Sequence, residues 1–281
     1  MKEKVVLITG CSSGFGMAGA LAFARNGWRV YATMRNLARQ DQLVHQTKAG
    51  QLTLEIKRID VTDQSTIDRA IREIVQEAGH LDVLVNNAGY GLIGPLEDLS
   101  MDQIQGSFDT NLLGPIRMIK AVLPIFRSQK SGHIINVTSV AGLAGVPLYS
   151  AYCASKYAIE GLAESLVFEL DGFNIKISNV EPGPFDTEFS KGSIQYGSNM
   201  KAPDSPYRVL NDYFFKRHDI TKYNSPEIVA RLLVKIANEP NPQLYNPVGD
   251  KVRGLFFFKR FMGISLTQKV MKFLMKVPQK V

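Results

Sequence analysis

Residues Lys4 to Thr9, Lys-Val-Val-Leu-Ile-Thr, form a short β-branched run that stops at Gly10-Cys-Ser-Ser-Gly14-Phe-Gly16 and gives way to a helical pattern from Met17 to Asn26. Strand, glycine turn and helix in that order constrain the fold more than any other stretch of the chain. A second strand, Trp28 to Met34, follows within the length of a βαβ unit, and such a unit makes parallel strands. Glycines at 10, 14 and 16 let the backbone turn tightly and approach a pyrophosphate, while the free N–H groups at the helix start favour its charge. Ser12 and Ser13 add hydroxyl donors, and Phe15 lies in the same turn.

The alternation continues. Gln51 to Ile59 reads as a strand ending at Asp60-Val61, and Asp63 caps a helix running to about Ala78. Leu81 to Val85 is a strand that runs into Asn86-Asn87-Ala88-Gly89, a small-residue loop at the strand end where open α/β sheets hold their ligands. Met101 to Ser128 is helical with a kink expected at Pro124, His133 to Ser139 is a fifth strand, and Tyr149 to Leu170 is a helix. Ile175 to Val180 is a sixth strand, closing on Glu181-Pro182-Gly183. The expected architecture is a doubly wound α/β fold, with a mainly parallel sheet and helices on both faces.

The second strand ends Met34-Arg35-Asn36, with no acidic residue before Asp41. A chain that binds the unphosphorylated dinucleotide usually carries a carboxylate there for the ribose hydroxyls, whereas a planar guanidinium suits a 2′-phosphate. Arg35 therefore points to NADP(H) in preference to NAD(H).

Tyr152 and Lys156 lie one helical turn apart, on one helix face, and Ser139 ends the strand that would deliver a hydroxyl beside the phenol. An ammonium beside a phenol favours phenolate and is expected to lower its pKa. Tyr152 is thus a candidate general acid/base.

Together these residues resemble the short-chain dehydrogenase/reductase superfamily, in order from about residue 4 to residue 187. Thr9-Gly10 to Gly16 is similar to its cofactor signature, Asp60 to the acid near the adenine ring, and Asn86-Asn87-Ala88-Gly89 to its sheet-stabilising loop. Asn111, in Asn-Leu-Leu-Gly, resembles the fourth catalytic residue, Ser139, Tyr152 and Lys156 the triad, and Pro182-Gly183 with Thr187 the segment around the nicotinamide. The stretch Tyr31-Ala-Thr-Met-Arg-Asn-Leu is similar to the branch containing 17β-hydroxysteroid and retinol dehydrogenases. The resemblance implies a Rossmann-type domain, hydride transfer between NADP(H) and a carbonyl or alcohol, Tyr152 exchanging the proton, and Ser139 holding the substrate oxygen. Lys156 would lower the pKa of Tyr152 and grip the nicotinamide ribose, and Asn111 would hold a water that relays protons to Lys156. Subunits of the family commonly pair through the helices around 101–128 and 149–170, so a homodimer or homotetramer is expected. The alternative is an NADP(H)-binding redox sensor or scaffold without turnover, against which the intact Asn111, Ser139, Tyr152 and Lys156 set speaks.

Composition excludes other classes. The formal charge of +7 and pI ≈ 9.3 suggest nucleic-acid binding, but the eight basic residues from Lys251 to Lys280, with no acid among them, account for it. Subtracting them leaves residues 1–250 at −1, a nearly neutral body. Residues 251–281 interleave those cations with Phe256, Phe257, Phe258, Phe261, Leu266, Phe273 and Leu274, as one or two amphipathic helices would. Their apolar side could pack on the body, cover the pocket, meet a partner subunit or lie on an anionic membrane surface. Residues 1–250 are expected to form one domain, with a lid over the substrate at about 188–224. The expected pocket wall is Tyr90, Leu92, Ile93, Val140, Leu143, Tyr149, Pro184 and Phe185, mostly apolar and suited to a lipophilic carbonyl or alcohol. The apolar core of the N-terminus, Val5 to Ile8, is too short for a secretory signal, and the expectation is a cytoplasmic protein. Cys11 and Cys153 lack metal-ligand spacing, so no metal centre is expected.

Overall fold

A computed structural model describes residues 2–187, 193–217 and 224–249, and in the tail 252–254, 256, 261, 263, 266, 267, 269 and 270. The chain runs β1 (Val5–Ile8), α1 (Gly14–Arg25), β2 (Arg29–Met34), α2 (Asp41–Ala49), β3 (Glu55–Arg58), α3 (Gln64–Ala78), β4 (Val83–Asn86) and β5 (Gly91–Ile93). It continues through α4 (Met101–Phe108), a π-helical turn (Asp109–Leu113), α5 (Gly114–Gln129), β6 (Gly132–Val137), α6 (Ser150–Asp171) and β7 (Ile175–Pro182). β8 (Ile194–Tyr196), α7 (Arg208–Arg217), α8 (Glu227–Asn238) and β9 (Tyr245–Val248) complete the described elements.

Seven strands form one parallel sheet in the order β3-β2-β1-β4-β6-β7-β9. Alternation along β1 builds both layers of the core. Val6 and Ile8 face one way, with Phe23 of α1 and Val229 and Leu233 of α8. Val5 and Leu7 face the other, with Ile67 and Ile74 of α3, Met118 and Phe126 of α5, and Ala163 and Leu166 of α6. A sheet covered on both faces needs near-continuous apolar strands, and β1, β4 and β6 are buried along their whole length.

The doubly wound fold expected from the sequence is present, with four differences among its strands and turns. The strand expected at Gln51 to Ile59 contracts to β3, while Leu52 and Leu54 pack beside the core. The interruption expected at Pro124 falls instead at the π turn 109–113; Pro124 sits on an exposed face of α5, where water can meet the unpaired carbonyl it leaves. A seventh strand, β9, stands at the sheet edge, where its Pro247 is tolerated. A second, two-stranded sheet pairs β5 with β8 in parallel, Gly91 to Ile194 through Ile93 to Tyr196. That pairing ties the segment after β7 to the loop after β4. Of the expected lid, residues 188–192 and 218–223 lie outside the described residues, as does most of the tail. Among the described residues no helix is long and apolar enough to cross a membrane, and no group of His, Cys, Asp and Glu could hold a metal ion.

Candidate active site

Winding outward from β1 in both directions creates a switch point between β1 and β4, and open α/β sheets bind ligands beyond the carboxyl ends of such strands. Thr9-Gly10 ends β1 and Asn86-Asn87 ends β4, and side chains tie the two ends together. The Thr9 hydroxyl accepts from the N–H groups of Asn87 and Ala88, each at 3.0 Å, and the Asn87 amide donates to the carbonyls of Thr9 at 2.9 Å and Gly10 at 3.2 Å. The glycines then have separate reasons. Gly10 has φ +73°, and a Cβ on it would meet the Ala88 backbone at 2.8 Å; a Cβ on Gly16 would lie 2.3 Å from the Gly10 carbonyl oxygen. The turn therefore packs too closely on the β4 loop and on itself for side chains at these two positions, and, bordered by the first N–H groups of α1, it forms a cradle that fits a pyrophosphate.

The cradle opens on a cavity of ≈1420 Å³. Gly10, Ser12, Ser13, Gly14, Phe15, Arg35, Asp60, Val61, Asn87, Ala88, Gly89, Pro182, Gly183 and Thr187 all line it, as the sequence suggests, together with Ser139, Val140, Tyr149, Tyr152, Lys156 and Phe185. Gly16 and Asn111 do not line it; they shape it. Leu92, Ile93 and Leu143, expected on the pocket wall, are buried away from the cavity: Leu92 packs with Leu99 and Ala151, and Ile93 with Leu148 and Phe214. Apolar spacing marks a residue as buried without saying which side of the layer it faces.

At the dinucleotide end, Arg39 joins Arg35 and Asn36 in the wall. Arg39 lies four residues beyond Arg35, in the 3₁₀ turn Leu37–Arg39, a second cation that the sequence also carries next to the strand end. Asp60 is held by Thr62, whose N–H and hydroxyl both donate to its Oδ1, at 3.0 and 2.7 Å.

At the other end, Ser139 follows β6 and caps the 3₁₀ turn 140–142, its Oγ accepting from the Ala141 N–H at 3.1 Å. Tyr152 stands in the first turn of α6, hydrogen-bonded to Ser139. Lys156, one turn on and 6% exposed, holds its Nζ 5.7 Å from the Tyr152 ring centroid and donates to the Val137 carbonyl at 3.2 Å. Burial pulls the Lys156 ammonium down to about 8, against the opposing charge of Glu160. Burial also pushes the Tyr152 phenol above its ordinary value, and the Ser139 hydrogen bond only partly offsets it. This corrects the expectation that Lys156 pulls Tyr152 down. Loss of hydration acts on the phenol directly, whereas the ammonium is itself desolvated and lies beside a carboxyl.

Asn111 sits in the π turn, 1% exposed. Its amide donates to the Tyr90 carbonyl at 2.9 Å and its Oδ1 accepts from the Tyr90 N–H at 3.0 Å. A Cβ on Gly89 would meet that Oδ1 at 2.8 Å and would come 3.8 Å from the Lys156 Nζ. Asn111 thus clamps the Gly89-Tyr90 backbone against the lysine. The extra residue of a π turn aims a side chain inward that a regular helix would rotate away.

Beyond Tyr152 the wall turns apolar. Tyr149 lies 6.0 Å from the Tyr152 ring and 5.8 Å from Phe214, between centroids. Val146, Pro147, Leu148, Leu210 and Tyr213 continue the surface, and Val252, Gly254, Thr267 and Val270 of the tail reach it. On the dinucleotide side Phe185 packs edge-on against Phe15 at 5.4 Å.

Comparison with known proteins agrees with this geometry. The chain is 41% identical over 268 residues to retinol dehydrogenase 8 of Bos taurus, covering 91% of this chain and 85% of the relative. It is 38% identical over 254 residues to 17-beta-hydroxysteroid dehydrogenase type 1 of Homo sapiens, covering 87% and 77%. The crystal structure of a short-chain dehydrogenase from Streptomyces avermitilis superposes with a TM-score of 0.82 at 29% identity, covering 99% of this chain and 97% of that one. The profile of the short chain dehydrogenase family matches residues 4–195, from the first strand through the glycine turn and the Ser139, Tyr152 and Lys156 cluster to β8, and the chain belongs to that family of oxidoreductases.

Proposed function

We propose that the chain transfers hydride between NADP(H) and a lipophilic alcohol or carbonyl compound, with Tyr152 as the general acid/base. The observation that carries this reading is that Tyr152, hydrogen-bonded to Ser139 and backed by Lys156, opens onto the same cavity as the glycine cradle. When bound, the nicotinamide supplies or accepts the hydride. The chain's own residues do the rest. Ser12, Ser13 and the N–H groups at the start of α1 would hold the pyrophosphate, Asp60 and Val61 would flank the adenine, and Arg35 with Arg39 would meet a 2′-phosphate. Lys156 and Thr187 would hold the nicotinamide end. Ser139 would donate to the substrate oxygen, and Tyr152 would protonate it as negative charge develops. A phenol held above its ordinary pKa keeps its proton at neutral pH, which suits carbonyl reduction.

A lipophilic substrate fits the apolar wall of Val146, Leu148, Tyr149, Leu210 and Phe214, and the names of the relatives, a retinol and a hydroxysteroid dehydrogenase, fit it too. The lid and tail residues on that wall support their reading as a cover that excludes water. Phe168 on the outer side of α6, 84% exposed, is consistent with a homo-oligomer.

The test is turnover of steroid, retinoid and fatty ketones and aldehydes with NADPH and NADH, alongside Tyr152→Phe. NADPH-dependent reduction is expected, with Tyr152→Phe lowering kcat by about 10²–10⁴-fold at unchanged coenzyme affinity. NADPH binding without turnover across the panel would leave the sensor reading standing.

A further inference from the structure

Behind Lys156, on the side away from the cavity, lie two carboxyls that the chemistry above does not use. Glu160, one turn further along α6, is 5% exposed, and Glu181, at the end of β7, is fully buried. Each has one oxygen satisfied and one that is not. Glu160 Oε2 accepts from the Asn179 amide at 2.5 Å, and Glu181 Oε2 accepts from the Asn246 N–H at 2.8 Å. The Oε1 atoms of both are buried without a hydrogen-bond partner among the described residues. Two ionised carboxylates buried this deeply would repel each other with little screening, which favours one of them keeping a proton.

The surroundings decide which. Asn86, Asn136 and Asn179 stand side by side on β4, β6 and β7, and each amide donates to the next: Asn86 to Asn136 at 3.0 Å, Asn136 to Asn179 at 3.0 Å, and Asn179 to Glu160. All three amide dipoles point their donor ends at Glu160, which favours its anion. Lys156 and the Thr138 hydroxyl act in the same direction, while Glu164 opposes. Glu181 faces the Glu160 charge and has only backbone donors in return; burial and that charge push it up to about 9, against about 7 for Glu160. Tyr245 of β9, whose hydroxyl donates to Glu164, is the remaining titratable group against the pair among the described residues.

We propose that Glu160 and Glu181 share one proton behind the active site, with Glu181 the neutral member and Glu160 the buried counter-charge that keeps the Lys156 ammonium protonated and in place. Glu160 is then a positioning residue acting through Lys156. The protonation of the pair is a property of the fold alone; its effect on turnover rests on the function proposed above.

Two isosteric variants test it. Infrared spectra of the protein without coenzyme, at pH 8 and so between the two values, should contain the carbonyl stretch of a neutral carboxylic acid that Glu181→Gln removes and Glu160→Gln retains. In carbonyl reduction, the alkaline limb of kcat/KM should move to lower pH by about 1 unit in Glu160→Gln, because Lys156 loses the charge that holds its proton. That limb should stay in place in Glu181→Gln, since glutamine mimics the protonated acid. Circular dichroism melting confirms that both variants fold. Absence of the neutral-acid band in the wild type, or its loss in Glu160→Gln but not in Glu181→Gln, overturns the shared proton, whatever the substrate. An unmoved limb in Glu160→Gln, or equal movement in both variants, overturns the link to Lys156.

Discussion

Replacing Gly16 by alanine tests whether the glycine turn is a cradle set by contact distances. The added Cβ would lie 2.3 Å from the Gly10 carbonyl oxygen and 2.5 Å from the Asn87 amide nitrogen, whereas ordinary contact begins near 3.4 Å. The first turn of α1 must therefore retreat by about 1 Å from a backbone atom that cannot swing aside. That retreat loosens the Asn87 bond to the Gly10 carbonyl, now 3.2 Å, and moves the N–H groups at the start of α1 out of line. Overpacking of this kind costs about 1–3 kcal/mol, and at about 2–4 °C per kcal/mol for a domain of this size Tm should fall by between about 2 and 12 °C. Loss of about 1.4 kcal/mol in pyrophosphate contacts would weaken coenzyme tenfold. Gly161, helical in α6 with nothing within 4 Å of an added Cβ, is the control: Gly161→Ala should stabilise by about 0.5–1 kcal/mol. Calorimetric melting and NADPH fluorescence titration read both. A Gly16→Ala protein with wild-type Tm and coenzyme affinity would refute the steric account.

Arg35→Ala and Arg39→Ala should each weaken NADPH binding by about 10–150-fold, the worth of a hydrogen bond to a charged group of about 1.5–3 kcal/mol, and leave NADH binding unchanged; equal loss for both coenzymes in a titration would remove the 2′-phosphate role. His133 gives a pH dependence of stability. It is buried beside the Ser178 hydroxyl, and burial with the Lys176 charge pulls it down to about 4, so the folded state holds it neutral. Stability from this group is present above pH ~6.5 and lost as pH falls toward 4, because the unfolded chain binds the proton first; the loss is about 3 kcal/mol at 1.36 kcal/mol per unit. Urea unfolding between pH 4 and 7.5 should show that slope in the wild type and a flatter one in His133→Gln.

What the sequence discloses follows from how local the cause is. The run Lys4 to Asn26 carries its own strand pattern, glycines and helix period, and β1, the turn and α1 form there. Tyr152 and Lys156 share a helix face by spacing alone. α2 escaped because a nine-residue, mostly polar helix that buries only Leu43 has almost no apolar period. β9 escaped because Tyr-Asn-Pro-Val reads as a turn, and only its place at the sheet edge makes Pro247 acceptable. β5 and β8 are three residues each and are strands only because they pair across a hundred residues of chain. The π turn hides inside an unbroken helical pattern. The ionisation of Tyr152 is not legible for the same reason: spacing places the ammonium, but burial, the largest cause of its raised pKa, comes from elements elsewhere in the chain.

The column of asparagines shows how such a non-local feature joins fold to site. Interior positions of a doubly covered parallel sheet are ordinarily apolar, and an amide there without partners costs about 1–3 kcal/mol. Here Asn86, Asn136 and Asn179 occupy matching register positions on three neighbouring strands, so each satisfies the next only if β4, β6 and β7 are aligned as they are. A slip of one residue would turn every amide to the other face and leave several unpaired. Register is therefore held by polar pairing as well as by apolar fit. The carboxylate of Glu160 sets the direction of the whole column, since Asn179 must offer it the nitrogen, and each amide behind must then turn the same way. The residue that orders the dipoles across the sheet is the one that stands behind Lys156, so on the proposal above sheet alignment and the charge state of that lysine depend on the same side chain.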